Sequence, residues 1–179
     1  MSASAQRPLI FLDVDGPLIP FGAAPQELPP GGYPEYPACA GPRPPDSHPL
    51  LGRIDPGLGP RLAALPGDLV WATTWTADAN ECVAPRLGLP QLPVVWWDEP
   101  SEEGPSGGTH WKTPALVAWA AGRPFAWIDD EITGADRRWV AAHHPGRSLL
   151  HRVDPRRGLL DADFAALGAW LRTAAPGTA

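Results

Sequence analysis

Lysine is almost missing from this chain: of 14 basic residues among 179, 13 are arginine and Lys112 is the only lysine. Cysteine is nearly as scarce. Cys39 and Cys82 offer neither metal-ligand spacing nor a disulfide framework, so a reducing, cytoplasmic setting is expected. No window approaches the run of about 18 apolar residues that a spanning helix needs. The opening MSASAQRPLIFLDVDG also meets acidic residues before any long apolar stretch, so neither a membrane span nor a secretory leader is expected. Positive charge is in deficit. With 20 acidic against 14 basic residues the net charge is −6, which at face value argues against coating nucleic acid or anionic membrane.

Proline is the opposite case. The chain holds 25 prolines and 19 glycines, and 13 of the prolines fall between positions 17 and 60. Apolar residues make up 44%, so the chain folds rather than staying disordered. A length of 179 residues suits one domain with a sizeable core. The expectation is a single domain over 1–179, carrying a Pro-rich insertion at 17–60.

Outside that insertion, short apolar runs alternate with helical patterns. Strands are expected at 8–13, 68–73, 93–97, 124–129 and 148–153. Helices are expected at roughly 55–65, from Thr76 or Asp78 to Arg86, from Thr113 as N-cap to Gly122, from Gly134 to His143, and from Asp161 or Asp163 onward. Short strands that are apolar on both faces and separated by helices imply an α/β, Rossmann-like three-layer sandwich with a mainly parallel five-stranded sheet. In such sheets chemistry collects beyond the carboxyl ends of the strands.

Those ends are informative. The first strand runs into Asp13-Val14-Asp15-Gly16, the second into Thr73-Thr74, and the fourth into Asp129-Asp130-Glu131. A second Asp-x-Asp pair, Asp161-Ala162-Asp163, has a bland explanation as a helix cap; the first precedes a glycine turn and has no helix to cap. Asp13, Asp15, Asp129 and Asp130 converging in one crevice would repel one another without a cation, and hard oxygen ligands of this kind select Mg²⁺. Lys112 opens a helix 17 positions before the acidic pair. A compact ammonium there suits a phosphoryl group held against carboxylates.

The ordered set of DVDGPL, a strand ending in threonine, a lone lysine at a helix start and a strand ending in Asp-Asp resembles the haloacid dehalogenase superfamily, from about Pro8 to Val153. WATTWTADAN and WIDDE are further similar to the small domain of this superfamily found in Swiss Army Knife RNA-repair proteins. The resemblance implies that Asp13 is a nucleophile forming a phosphoaspartate and that Asp15 is the general acid and then base. It implies that Thr73, or Thr74, holds a phosphoryl oxygen, and that Lys112 neutralises the transferring group. Mg²⁺ would sit on the Asp13 carboxylate, the Asp15 main-chain carbonyl, Asp129 and Asp130. Dehalogenases of the superfamily lack the second Asp and its ion pumps carry Thr there, so Asp15 implies phosphatase or phosphotransferase chemistry.

Relatives insert cap domains after the first strand or between the second and third motifs. Here the first gap is Pro-rich and the second, Thr74 to Lys112, is about 37 residues, so a capless core with a Pro-rich flap is expected. An open site suits a phosphorylated small molecule or a nucleic-acid end. Gly16, Thr74, Trp75 and Arg156 are the candidate substrate contacts. Trp75, Trp96, Trp97 and Trp111 could stack on a base or simply pack in the core or flap. Arg156 and Arg157 follow the last strand and fit a phosphate contact or an exposed face about equally. His143, His144 and His151 show no metal spacing, and Asp98, Glu99, Glu102 and Glu103 read as a solvated loop. A receiver-like signalling module uses similar residues, but it places its acidic pair first and its lysine last. A phosphate-binding protein without catalysis would not need all six of Asp13, Asp15, Thr73, Lys112, Asp129 and Asp130. Setting aside the four site aspartates and Lys112 removes −3 from the −6, so the acidity weighs little against a phosphate-rich substrate.

Overall fold

A computed structural model of the chain describes residues 6–37, 48–97 and 108–174. Cys39, the middle of the Pro-rich insertion and the acidic run from Asp98 to Glu103 lie outside the described residues. The sheet has four strands, β1 (Leu9–Leu12), β2 (Asp68–Trp71), β3 (Phe125–Asp129) and β4 (Ser148–Arg152). They are ordered β2-β1-β3-β4, and every pairing is parallel. Parallel neighbours need crossovers, and these carry helices α1 (Leu58–Ala63), α2 (Ala84–Leu87), α3 (Lys112–Ala120) and α4 (Gly134–His143), while α5 (Asp161–Ala174) follows the last strand.

The two faces of the sheet feed two apolar clusters. Ile10, Leu12, Ala126 and Ile128 pack with Leu58, Leu62, Leu87, Phe164 and Leu167, which come from α1, α2 and α5. Leu9, Phe11, Phe125 and Trp127 pack with Leu116 and Ala120 of α3 and Val140 of α4. The central strand β1 is therefore apolar at every position: LIFL is fully buried because both of its faces are covered. Among the described residues no helix is long and apolar enough to cross a membrane.

The strand expected at 93–97 does not form. The segment meets β2 in one isolated bridge, Trp71 to Val94, with Trp71 N–H donating to Pro93 O at 2.8 Å and Val95 N–H to Trp71 O at 2.9 Å. Pro93 has no N–H to donate, so the ladder cannot extend back past it. Asn80 takes over the fastening: its side-chain amide donates to Leu92 O at 2.8 Å, and its Oδ1 accepts from Leu92 N–H at 2.8 Å and from the Trp71 indole at 2.9 Å. The helix expected from Thr76 or Asp78 is correspondingly irregular. It begins as a π-helical turn over Ala79–Val83 and only then becomes α2.

The described parts of the insertion contain two short 3-10 helices, Pro25–Glu27 and Pro49–Arg53, and no α-helical layer before α1. Its entry and exit are tied together. Arg53 donates to Pro20 O at 2.9 Å and Tyr36 N–H to Gly52 O at 2.7 Å, while Phe21 N–H reaches Pro155 O at 2.8 Å beyond β4.

Candidate active site

Strand register brings the first two acidic residues together. Leu12 pairs with Ile128, and Asp13 N–H continues the ladder by donating to Ile128 O at 3.0 Å, so Asp13 emerges beside Asp129. Side chains alternate along a strand. Asp13 therefore shares the face of Leu9 and Phe11, and Asp129 that of Phe125 and Trp127, which is the face covered by α3 and α4. The first residue of α3 is Lys112.

The lone lysine closes this arrangement. Its Nζ donates to Asp13 Oδ2 at 2.7 Å and to Asp129 Oδ2 at 2.9 Å, with all three residues buried. The remaining oxygens are also held. Asp13 Oδ1 accepts from Val14 N–H at 2.8 Å, Asp129 Oδ1 from Glu131 N–H at 2.9 Å, and Asp129 Oδ2 also from the Trp127 indole at 3.2 Å. Fully ionised, the triad carries one surplus negative charge in a buried setting. Burial pushes the Asp13 carboxyl up to about 8, opposed by the charge of Lys112 and reinforced by that of Asp129. Burial works against the Lys112 ammonium, but Asp13 and Asp129 outweigh it and hold the lysine more firmly charged than usual. The site is electrostatically short of one positive charge.

Asp130 supplies the third carboxylate. Oxygens of Asp13, Asp129 and Asp130 lie within 4.8 Å of one another, an all-oxygen donor set suited to a hard divalent cation. Burial first, and the Asp129 charge next, push Asp130 up to about 6. Gly16 makes the approach of Asp130 feasible. Its φ of +82° is left-handed, and a Cβ there would lie 2.7 Å from Asp130 Cγ, so only glycine fits this turn.

The other expected residues are placed as follows. The Asp15 carboxylate stands outside that trio; its Oδ2 accepts the Trp75 indole N–H at 3.0 Å. Thr73 is fully buried just past β2, its Oγ1 accepting from Trp75 N–H at 3.3 Å, whereas Thr74 is exposed. Arg156 is an exposed side chain already committed to Asp154 at 3.1 Å and Glu27 at 3.3 Å. Trp96 is exposed and Trp97 packs edge-on against Trp111. Thr113 is not the N-cap of α3. Trp111 occupies that position, and Thr113 Oγ1 instead donates to Asp136 Oδ1 at 2.7 Å.

Two residues that sequence reasoning missed stand behind Lys112. Asp136, fully buried, accepts four hydrogen bonds at 2.7–2.8 Å, from His110 N–H, Thr113 Oγ1, Thr133 N–H and Thr133 Oγ1, and so ties the start of α3 to the start of α4. Thr133-x-x-Asp136 is a capping box legible in the sequence; its reach to α3 is not. His110 has no such signal. Its Nε2 meets Glu131 Oε2 at 2.8 Å, and its Nδ1 accepts Lys112 N–H at 3.1 Å. His110, Asp129 and Glu131 also cluster within 4.8 Å, but an Nδ1 that accepts an N–H leaves the ring proton on Nε2. Nε2 is then a donor to Glu131, so as arranged the imidazole is not a metal ligand.

The chain matches no family model, no curated protein and no solved structure. The site itself is a buried Asp-Lys-Asp triad with a third carboxylate at the carboxyl edge of a parallel sheet, an arrangement consistent with phosphoryl transfer.

Proposed function

We propose that the chain is a Mg²⁺-dependent phosphomonoesterase of the haloacid dehalogenase kind, working through a phosphoaspartate on Asp13. The observation that carries this reading is the Lys112 ammonium bridging Asp13 and Asp129 at 2.7 and 2.9 Å beside Asp130. A carboxylate attacks a phosphate only where fixed cations cancel their mutual repulsion.

Mg²⁺ bound by Asp13, Asp129, Asp130 and the Asp15 main-chain carbonyl would supply that neutralisation together with alignment of the phosphoryl group. An ionised Asp13 oxygen attacks phosphorus while the bond to the leaving oxygen breaks, and Asp15 gives that oxygen a proton. The resulting Asp15 carboxylate takes a proton from water, the hydroxide attacks phosphorus, and the bond to Asp13 breaks to release inorganic phosphate. Lys112 holds the charge of Asp13 and the moving phosphoryl group. Thr73, held just past β2, is taken as the threonine that fixes a phosphoryl oxygen, and Gly16 lets Asp130 approach the site.

The substrate class is a phosphomonoester on a small molecule or at a nucleic-acid end, reached through an edge with no α-helical cap among the described residues. Hydrolysis of p-nitrophenyl phosphate is expected to need Mg²⁺ and to vanish in Asp13→Asn. Undiminished turnover in that variant, or turnover indifferent to a chelator, would refute the mechanism.

A further inference from the structure

A cavity of about 310 Å³ lies under the Pro-rich flap, within the size range of small-ligand sites. One wall starts at Pro17 and Leu18. Two residues of chain span at most about 7 Å, so this wall stands within about that distance of Asp15. None of Asp13, Asp15, Lys112, Asp129 and Asp130 lines the cavity, which neighbours them through the chain at Pro17.

Its lining has a distinct chemistry. The floor is apolar, from residues such as Leu58 and Leu159, and Tyr33 and Tyr36 stand in its walls. Three arginines, Arg53, Arg156 and Arg157, face one acid, Asp55, in a chain whose net charge is −6. Arg53 is committed, lying over the Tyr33 ring at 4.4 Å and bonded to Pro20 O. Arg156 is committed to Asp154 and Glu27. The Arg157 side chain has no hydrogen-bond or ion-pair partner among the described residues. The cavity thus offers an apolar and aromatic lining with one cation that has no partner among the described residues.

We propose that this cavity holds the leaving group of the substrate, and that this group carries a planar ring and a second anionic substituent: the ring lies against the tyrosines and apolar floor, the anion on Arg157. The assignment of the ligand as leaving group rests on the phosphatase reading; the cavity's preference for a ring-bearing anion does not. Aryl phosphates with a carboxylate and nucleotides with a second phosphate share this chemistry, and the test separates them.

Turnover is compared for p-nitrophenyl phosphate, 4-carboxyphenyl phosphate and adenosine 3′,5′-bisphosphate. In Arg157→Ala, kcat/KM for one or both of the anionic substrates is expected to fall at least tenfold relative to p-nitrophenyl phosphate, mainly through KM; which one falls names the source. Calorimetry on the Asp13→Asn chain reads binding without turnover, and adenosine 3′,5′-bisphosphate or 4-carboxyphenyl phosphate is expected to bind at least tenfold more weakly when Arg157→Ala is added. Arg157 is exposed, so the variant is expected to fold, and Tyr36→Ala checks the ring contact independently. Arg157-dependent binding with no hydrolysis of any ester would keep the cavity and discard the phosphatase. Mg²⁺-dependent hydrolysis with an unaltered substrate ratio and unaltered binding in Arg157→Ala would discard the cavity.

Discussion

Trp75 donates its indole N–H to Asp15 Oδ2 at 3.0 Å, across 60 positions of sequence. His48, on the returning limb of the flap, meets the same indole edge-on at 5.1 Å. The side chain proposed as general acid is thus oriented by a residue just beyond β2, and that residue touches the flap. Positioning of this kind acts on the chemical step more than on binding.

Replacing Trp75 by Phe keeps a ring but removes the donor. A hydrogen bond to a carboxylate is worth about 1.5–3 kcal/mol, so kcat in Trp75→Phe is expected to fall roughly tenfold or more, with KM little changed. Were the ring a stacking platform for substrate, Phe would preserve turnover and Trp75→Ala would raise KM. Steady-state kinetics of the two variants separate the roles.

Metal binding should carry a pH signature. Burial raises the Asp13 carboxyl to about 8, so below that pH a proton occupies the site that a divalent cation must claim. Apparent Mg²⁺ affinity is expected to increase as pH rises from 6 to 8.5, with a proton released on binding at pH 7. A folded-state value raised above the unfolded one contributes stability that is fully present below about 3.9 and is lost as pH rises toward 8. The melting-temperature gain from Mg²⁺ should therefore be larger at pH 8.5 than at pH 6. Calorimetric titrations in buffers of different ionisation enthalpy count the proton, and finding none released would contradict the protonated Asp13.

The cluster behind Lys112 gives an independent stability test. Burial works to raise the Asp136 carboxyl, but donors on Thr133, Thr113 and His110 prevail and hold it below the ordinary carboxylate range. A lowered value contributes stability that is present above the unfolded value of about 3.9 and is lost as pH falls through the folded one. Asp136→Ala strands four donors at the join of α3 and α4. It is expected to cost about 3 kcal/mol in urea unfolding at pH 7 and to flatten the acid limb of the stability curve.

What could be read in advance follows from how local each signal is. Asp13 and Asp129 end apolar runs, so strand alternation and parallel pairing sufficed to bring them together. Lys112 stood out because the rest of the chain avoids lysine. The segment 93–97 looked like a strand because apolar runs do not reveal a missing donor, and Pro93 denied it one. Arg156 fits a phosphate contact or an exposed face equally well in the sequence because its partners, Asp154 in a tight turn and Glu27 in the flap, are set by chain reversal rather than by pattern. Trp75 on Asp15, and His110 and Asp136 behind Lys112, are long-range side-chain pairs, and no periodicity encodes those.

The triad itself makes the last prediction. Lys112→Met removes the cation from between Asp13 and Asp129 and leaves two buried carboxylates facing each other, with only the Val14, Glu131 and Trp127 N–H groups to satisfy them. Breaking a buried ion pair from one side costs about 3–5 kcal/mol, and the metal-free variant is expected to lose about that much in urea unfolding. A divalent cation bound by the same carboxylates replaces part of the missing positive charge, so Mg²⁺ should raise the melting temperature of Lys112→Met more than that of the unsubstituted chain. On the proposed phosphatase mechanism activity should stay lost, because there the ammonium also neutralises the transferring phosphoryl group. If Mg²⁺ stabilised the two chains equally, the cation would not be sharing the carboxylates that Lys112 holds.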